Sequence, residues 1–430
     1  MFESPQTLWN CMTLATLSIL TRSHHTDPGH DSINETQVAS ANEVLNFGNL
    51  NTFDFPFALY RPCVLESCSD PRFGGCSPNV TEFLSHPVNT SRIRSFANVM
   101  SRDYCGFSDP GIDYDIAGPG VMIAYFFQFG LAFFFFFALK TTTSWVKSCA
   151  HKRLSGTAFA ETIRRAIIDL QETQAAFLVT IAIAAIATFR GKEGTGLANI
   201  PTVVSWITND TILRGIVAAG SYPLLLIQLA LHAAGKRWLY TLLFVVVNLI
   251  LVSIMHLPKD IDPSTLLPHF EDAAENLGSC GSHAGPMTFC QRFRQRNTVK
   301  NPITQPDLFF FITSRHPQFI YLISGCLVLD WTTVTILKRW NHQPRSDTII
   351  RNLSFITPIY EVFWALLEVA TFAMCVLSLV EIKAFWDVLR SIGEGPKSET
   401  NINNWGFGQL IAVAVWFPVI LKLCCSLVCK

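Results

Sequence analysis

Apolar residues in this chain fall in long runs rather than in the short alternations of a soluble core. The runs cover about 117–139, 174–189, 211–231, 238–257, 318–337, 355–380 and 405–425. A run of ~20 apolar residues is long enough to cross a ~30 Å hydrocarbon layer as a helix. Lipid leaves no water to satisfy the backbone, so an apolar run of this length pairs its polar groups within a helix. The pattern predicts an all-α fold: a polytopic bundle of about seven transmembrane helices over 117–430. A loop-rich, Cys-containing region over 23–116 precedes it. The second run is slightly short, and a helical pattern from Ala158 feeds into it. Asp115 is placed to cap the first helix, with Pro119 in its first turn, where a missing N–H costs nothing. Within residues 1–22, the apolar run 8–20 is too short for a comfortable span and has the length of a signal-peptide core. No Lys or Arg precedes it. A targeting signal or anchor and an ordinary buried segment both remain open.

Charge then orients the bundle. Only 15% of residues are charged, against ~25% in soluble domains. Lys+Arg and Asp+Glu both number 32, which argues against a polyanionic partner. Zinc-finger spacing, a Walker loop and a basic stripe are all missing, so nucleic acid is not expected. Basic residues gather after the first span (Lys140, Lys147, Lys152, Arg153, Arg164, Arg165), between the third and fourth (Lys236, Arg237) and after the fifth (Lys338, Arg339, Arg345, Arg351). The positive-inside rule makes these cytosolic. The N-terminal region is then extracytosolic and the C-terminus cytosolic. Arg292, Arg294 and Arg296 break the rule, in a loop long enough to weaken it. Sequons at Asn34, Asn79, Asn89 and Asn209 fall outside and are candidate glycosylation sites. The sequon at Asn352 falls inside and should stay bare. Cys63, Cys68, Cys76, Cys105, Cys280 and Cys290 also fall outside, an even number suited to disulfides whose pairing sequence cannot choose. Cys424, Cys425 and Cys429, at the cytosolic end, are palmitoylation candidates or simply small apolar residues. The expected location is the endoplasmic reticulum or the plasma membrane.

Candidate chemistry lies inside the bilayer, where ionisable groups are costly. Asp330 lies in the fifth run; Glu361 and Glu368 lie in the sixth. At ~1.5 Å per residue, Asp330 and Glu361 sit roughly 10 Å from the cytosolic side, so consecutive antiparallel helices allow them to meet. Glu361 and Glu368 are seven apart and share one helix face. Glu368 then lies nearer the midplane, level with Gln128 and Asn248. Carboxylates crowded in low dielectric cannot all ionise, so one keeps its proton and becomes a Brønsted acid. The competing reading is a packing hydrogen bond, or a salt bridge to Arg339 or another cytosolic base. Aromatic residues crowd the spans and mostly pack or face lipid. Trp331 beside Asp330, and Trp364 between the two glutamates, are placed to stabilise a cation in a cavity.

The aspartate-rich motif of ionisation-type terpene synthases is missing, as are an intramembrane His cluster and a His-Glu-x-x-His helix. Asp113-Tyr114-Asp115 is a fragment of the Asp-x-Asp-Asp acid motif, set outside the membrane. The Asp-Arg-Tyr and Asn-Pro-x-x-Tyr signatures of the commonest seven-span receptors are missing too.

The stretch from Cys105-Gly-Phe through Asp113-Tyr-Asp-Ile-Ala-Gly-Pro-Gly-Val121, running into an aromatic span with Gln128, resembles a set of filamentous-fungal integral membrane proteins. These carry a Cys-rich outer segment and an Asp-Ile-Ala-Gly-x-Gly-Val motif; Pro119 stands where an aliphatic residue is usual. In size and topology the chain also resembles membrane terpene cyclases of fungal meroterpenoid clusters, including the ascofuranone and macrophorin types. The motif spans about 25 residues and reads physically as a helix cap with close glycine packing. The resemblance implies a membrane-bound terpene cyclase of secondary metabolism. Its substrate would be a small hydrophobic prenylated arene, or its epoxide, reached from the lipid bilayer. The expected assignments are Asp330, Glu361 and Glu368 as acids and Gln128, Asn248, Trp331 and Trp364 as substrate contacts, with no metal and no cofactor. The alternatives are a proton-coupled transporter or channel using the same carboxylates, or a seven-span receptor-like protein.

Overall fold

The computed structural model describes residues 54–69, 76–86, 112–143, 158–190, 202–233, 238–257, 276–280, 282–289, 317–340, 356–393 and 407–428, with the single positions 99, 104, 200 and 270. Residues 1–22, Asn34, Asn89, Cys105, Cys290 and Cys429 lie outside them.

Outside the bundle are helices α1 (Asp54–Cys68) and α2 (Pro78–Ser85). The short turn α3 (Tyr114–Ala117) leads into α4 (Pro119–Thr143). Then come α5 (Ala158–Arg190), α6 (Val203–Ala233), α7 (Leu239–His256), α8 (Gln318–Trp340) and α9 (Ile356–Gly393). The last span is broken into α10 (Phe407–Ala414) and α11 (Phe417–Val428). Among the described residues, 7 stretches are long and apolar enough to cross a membrane. The fold is that of an all-α, multi-pass membrane protein.

Boundaries differ from the hydropathy runs for local reasons. α5 starts well before residue 174, because Ile163, Ile167 and Leu170 give its first turns a buried apolar stripe. α9 continues past residue 380, where Ile382 and Phe385 extend its buried face. An exposed Lys383–Asp387 pair decorates the other side at 2.8 Å. The break before α11 coincides with Pro418, which has no N–H and crowds the carbonyl four residues back. Trp416 closes the break with a bond to Val413 O at 3.2 Å. The position immediately before α4 is Gly118, not Asp115. Asp115 lies in α3, and the first bond of α4 runs from Met122 N to Gly118 O at 3.1 Å. Pro119 opens α4, as expected.

The glycine in the familiar motif has a packing role. A Cβ on Gly120 would lie 2.6 Å from Gln409 O. Gly120 N donates to Gln409 Oε1 at 3.1 Å, locking the start of α4 to the start of α10.

Pairs at the helix ends show that the spans alternate in direction. Asp113, just before α4, donates to Asn209 near the start of α6 at 3.0 Å. Phe189 near the end of α5 meets Trp206 near the start of α6, with ring centroids 6.0 Å apart. At the opposite end, Lys422 of α11 pairs with Asp169 of α5 at 3.2 Å.

α6 is the axis of the bundle. In the apolar 18-residue stretch of its span, 94% of positions are buried, against 17–44% in the corresponding stretches of the other six. It packs on α4, α5, α7, α8 and α9. Its start is set by Thr202, whose Oγ1 accepts from Ser205 N at 3.1 Å. Side-chain amides tie neighbours to its backbone around Pro223, which removes one ladder donor. Gln128 of α4 donates to Gly220 O at 3.0 Å, and Gln171 of α5 donates to Leu224 O at 3.2 Å. Asn248 of α7 donates to Ser221 Oγ at 2.9 Å. Gly220 lets α4 and α5 approach, since a Cβ there would fall 2.5 Å from Leu178 Cδ2 and 2.7 Å from Tyr125 Cε1.

A small cap covers one end. Cys63 of α1 is bonded to Cys280 and Cys68 to Cys76. Strands β1 (Asn276–Leu277) and β2 (His283–Ala284) form a two-residue antiparallel ladder around Cys280. Glu66 accepts from Ser279 N at 2.8 Å, and Tyr104 OH donates to Ser67 Oγ at 3.1 Å. The turn Pro286–Phe289 rests on both α1 and α6. Two segments more than 200 residues apart thus form one cap.

Candidate functional site

At the end of the bundle away from the cap, Asp330 is buried between three helices. Its Oδ2 lies 3.2 Å from His232 Nδ1, and its Oδ1 accepts from Tyr360 OH. The side chains of His232 and Asp330 are 1% and 4% exposed. His232 comes from the last turn of α6, Asp330 from α8 and Tyr360 from the start of α9. Trp364, one turn beyond Tyr360, covers the group. Its ring centroid lies 6.3 Å from that of His232 and 5.9 Å from that of Tyr360. Nε2 of His232 and Nε1 of Trp364 are buried and find no hydrogen-bond partner among the described residues.

This geometry redefines the expected acids. Asp330 and Glu361 do not meet: the α9 residue that reaches Asp330 is Tyr360. Tyr360, Trp364 and Glu368 are four apart and follow one side of α9. Glu361 is turned about 60° from Trp364 and is exposed. Glu361 is therefore set aside as an acid in an apolar pocket. Glu368 faces inward, but as half of an ion pair. Lys140 Nζ lies 2.6 Å from both of its oxygens, with side chains 11% and 3% exposed. Lys140 also sits 5.6 Å from the centroid of the Phe136 ring. Both oxygens of Asp330 are engaged, Oδ1 by Tyr360 OH and Oδ2 by His232 Nδ1. Neither carboxyl stands alone: Asp330 has His232 and Tyr360, and Glu368 has Lys140.

Chemically, Asp330 orients the imidazole through Nδ1. That leaves Nε2 as the position where a proton can be gained or lost. The indole and phenol rings beside it offer π faces to a developing cation.

The expected substrate contacts divide. Trp364 belongs to this group. Trp331 is half-buried and packs on the core. Gln128 and Asn248 hold α4 and α7 to α6 and are structural tethers. The sequon residue Asn209 is corrected as a glycosylation site. It is 0% exposed, donates to Ser205 O at 2.9 Å and accepts from Asp113 N. A glycan has no access there. Asn79, at the start of α2, is exposed. Of the six outer cysteines, Cys63, Cys68, Cys76 and Cys280 are paired.

Two features escaped the sequence reading. His232 ends an apolar run and looks there like an ordinary helix terminus. Its signal was the position itself: a histidine in the last turn of a span, on the side of the membrane where Asp330 and Glu361 were placed. Asp210 and Arg214 form an ion pair one turn apart near the capped start of α6. Beside them, Ile116, Val121, Ile181, Ala184, Ala185, Thr188 and Leu213 line an apolar cavity of about 130 Å³. Among the described residues, no three His, Cys, Asp or Glu side chains gather as a metal site.

Comparison with known proteins leaves the site to its own geometry: no family model, no curated protein and no solved structure matches the chain.

Proposed function

We propose that the chain is a membrane-embedded acid–base catalyst, a terpene cyclase that cyclises a prenylated arene or its terminal epoxide. The observation that carries this reading is His232, held by buried Asp330, with its Nε2 lacking a hydrogen-bond partner among the described residues and set beside Trp364 and Tyr360. In this reading Asp330 keeps the imidazolium in place and His232 gives its Nε2 proton to the epoxide oxygen or olefin. Trp364 and Tyr360 face the carbocation. A proton lost from the product, or an internal hydroxyl, ends the sequence and returns His232 to its charged form. The proton balance closes without a metal. The substrate class follows the fungal resemblance and the apolar setting of the site.

The capped end faces the lumen or exterior in this proposal, because two disulfides persist in an oxidising compartment. His232, Asp330 and Glu368 then lie toward the cytosolic leaflet of an endomembrane or plasma membrane.

Microsomes bearing the chain and an epoxy-farnesyl arene test the reading. His232→Ala and Asp330→Asn should abolish turnover, and Tyr360→Phe should lower it about tenfold or more. Wild-type microsomes without turnover, or fully active His232→Ala microsomes, would refute it.

A proton-coupled carrier is the second reading. It is favoured by the two buried charge arrangements on one side of α9, at Tyr360 and Glu368. Proton flux in sealed vesicles that is lost in Asp330→Asn, with no cyclised product, would select it.

A further inference from the structure

One turn before His232 on α6 lies a second buried polar group that the proposed acid–base reaction does not use. Gln171 and Gln174 of α5 and Gln228 of α6 are each 0% exposed. Gln171 Nε2 donates to Gln228 Oε1 and to Leu224 O, each at 3.2 Å. Four amide atoms remain: Gln171 Oε1, Gln174 Oε1, Gln174 Nε2 and Gln228 Nε2. None has a hydrogen-bond partner among the described residues.

The arrangement on α5 is directional. Leu178, two turns from Gln171, packs against Gly220 of α6, and Phe177 meets Trp416 of α11 with centroids 5.5 Å apart. Gln174 lies between these two directions, one turn from Gln171, so the two amides are neighbours. Gln228 and His232 are likewise four residues apart on α6, with Cβ atoms ~5–6 Å from one another. The unpaired atoms are two acceptors and two donors, with a third nitrogen, His232 Nε2, one turn away.

Three buried amides are costly in a bilayer unless their hydrogen bonds are completed. A metal cation would match the two oxygens but be repelled by the two N–H groups. An apolar ligand would leave all four atoms unpaired. A molecule that both donates and accepts, and is small enough for a packed helix interface, matches all of them. Buried water makes about three hydrogen bonds to otherwise unsatisfied groups.

We propose that Gln171, Gln174 and Gln228 form an internal hydration site, holding one or two ordered waters that reach Nε2 of His232 between α5 and α6. The site itself is independent of the catalytic reading; its role as the proton supply of His232 rests on that reading. A water beside Nε2 gives a proton to the imidazole only as it receives the one released by the product, so the waters relay that proton back to His232 and no net charge is left in the bilayer.

The test uses the full chain in lipid nanodiscs. Hydrogen–deuterium exchange at the imidazole carbon between the two ring nitrogens is followed by mass spectrometry, together with a density map fine enough to show buried solvent. The map should hold at least one solvent peak within hydrogen-bond distance of Gln174 and Gln228. Gln228→Met and Gln174→Met should slow His232 exchange by about fivefold or more, as loss of bridging water implies. Ser378→Ala, a buried hydroxyl on α9, should leave it within about twofold. Gln174→Met, whose amide makes no bond within the protein among the described residues, keeps the test open if Gln228→Met misfolds. Unchanged exchange in a folded Gln174→Met protein, or ordered amides without solvent between them, would overturn the proposal. Slowed exchange in a protein that cyclises no prenyl-arene would keep the hydration site and reject the cyclase.

Discussion

The third and fifth spans have the same mean hydropathy, 1.6, yet 94% of one is buried and only 28% of the other. Hydropathy selects residues that tolerate an apolar medium, and protein interior and lipid are both apolar. The two helices differ in how polar groups are placed around them. On α6, Asn209, Ser221, Gln228 and His232 find their partners, in turn, just before α4 and on α7, α5 and α8. On α8, Ser324 and Asp330 lie on the buried side, while Leu322, Leu329 and Ile336 are exposed. A span whose polar groups pair with several neighbouring helices must be surrounded by protein; a span that keeps one unbroken aliphatic stripe exposed can lie at the rim.

The largest expected effect tests what the central helix and its neighbours hold together. Glu368→Ala leaves Lys140 charged and buried without its partner, which should cost about 3–5 kcal/mol. A Lys140→Met, Glu368→Leu double variant should recover most of that loss. Thermal unfolding in detergent measures both. A double variant no better than the single one would mean that the pair does more than compensate charge.

Glycine substitutions then compare the two spans directly. Gly220→Ala on α6 sets a methyl 2.5 Å from Leu178 Cδ2 and should destabilise by about 1–3 kcal/mol. Gly325→Ala on α8 meets nothing within 4 Å and should be neutral or stabilising by up to about 1 kcal/mol. Equal effects in the same unfolding assay would erase the distinction between axis and rim.

The smallest effect belongs to the cap. The Ser279 hydroxyl, and then its backbone N–H, hold the Glu66 carboxyl below its usual range. A depressed carboxylate stabilises above its unfolded pKa and loses that contribution as pH falls through its folded value. Amide exchange near Ser279 should therefore rise in acid relative to a matched Glu66→Gln protein, whose own exchange lacks this pH step. A step of equal size in both proteins would assign it to another group.

Much of the fold was legible in the chain. The seven spans, the alternation and the shared side of Cys63 and Cys280 follow from run length, charge placement and cysteine position. The ends of α5 and α9 were less so, because amphipathic turns extend a helix past its apolar run. Within the site, Asp330 stood out as a charge in an apolar run, and a pair between Glu368 and a cytosolic base was one of its two readings. Asp330's partners did not stand out. His232 comes from nearly 100 residues away, and a single position on α9 decides whether Glu361 or Tyr360 reaches Asp330. Asn209 shows the same limit: a sequon carries no information about burial.

The most direct test of the bundle built around its third helix is carbene footprinting of the unmodified protein in bilayers, with a photoreactive probe confined to lipid. Modified peptides are read by mass spectrometry. The account predicts labelling at Leu322 and Leu329 of α8 and at Leu243, Val247 and Ile250 of α7, with residues 215–232 of α6 protected along their whole length. Labelling along α6 equal to that of α8 would contradict it.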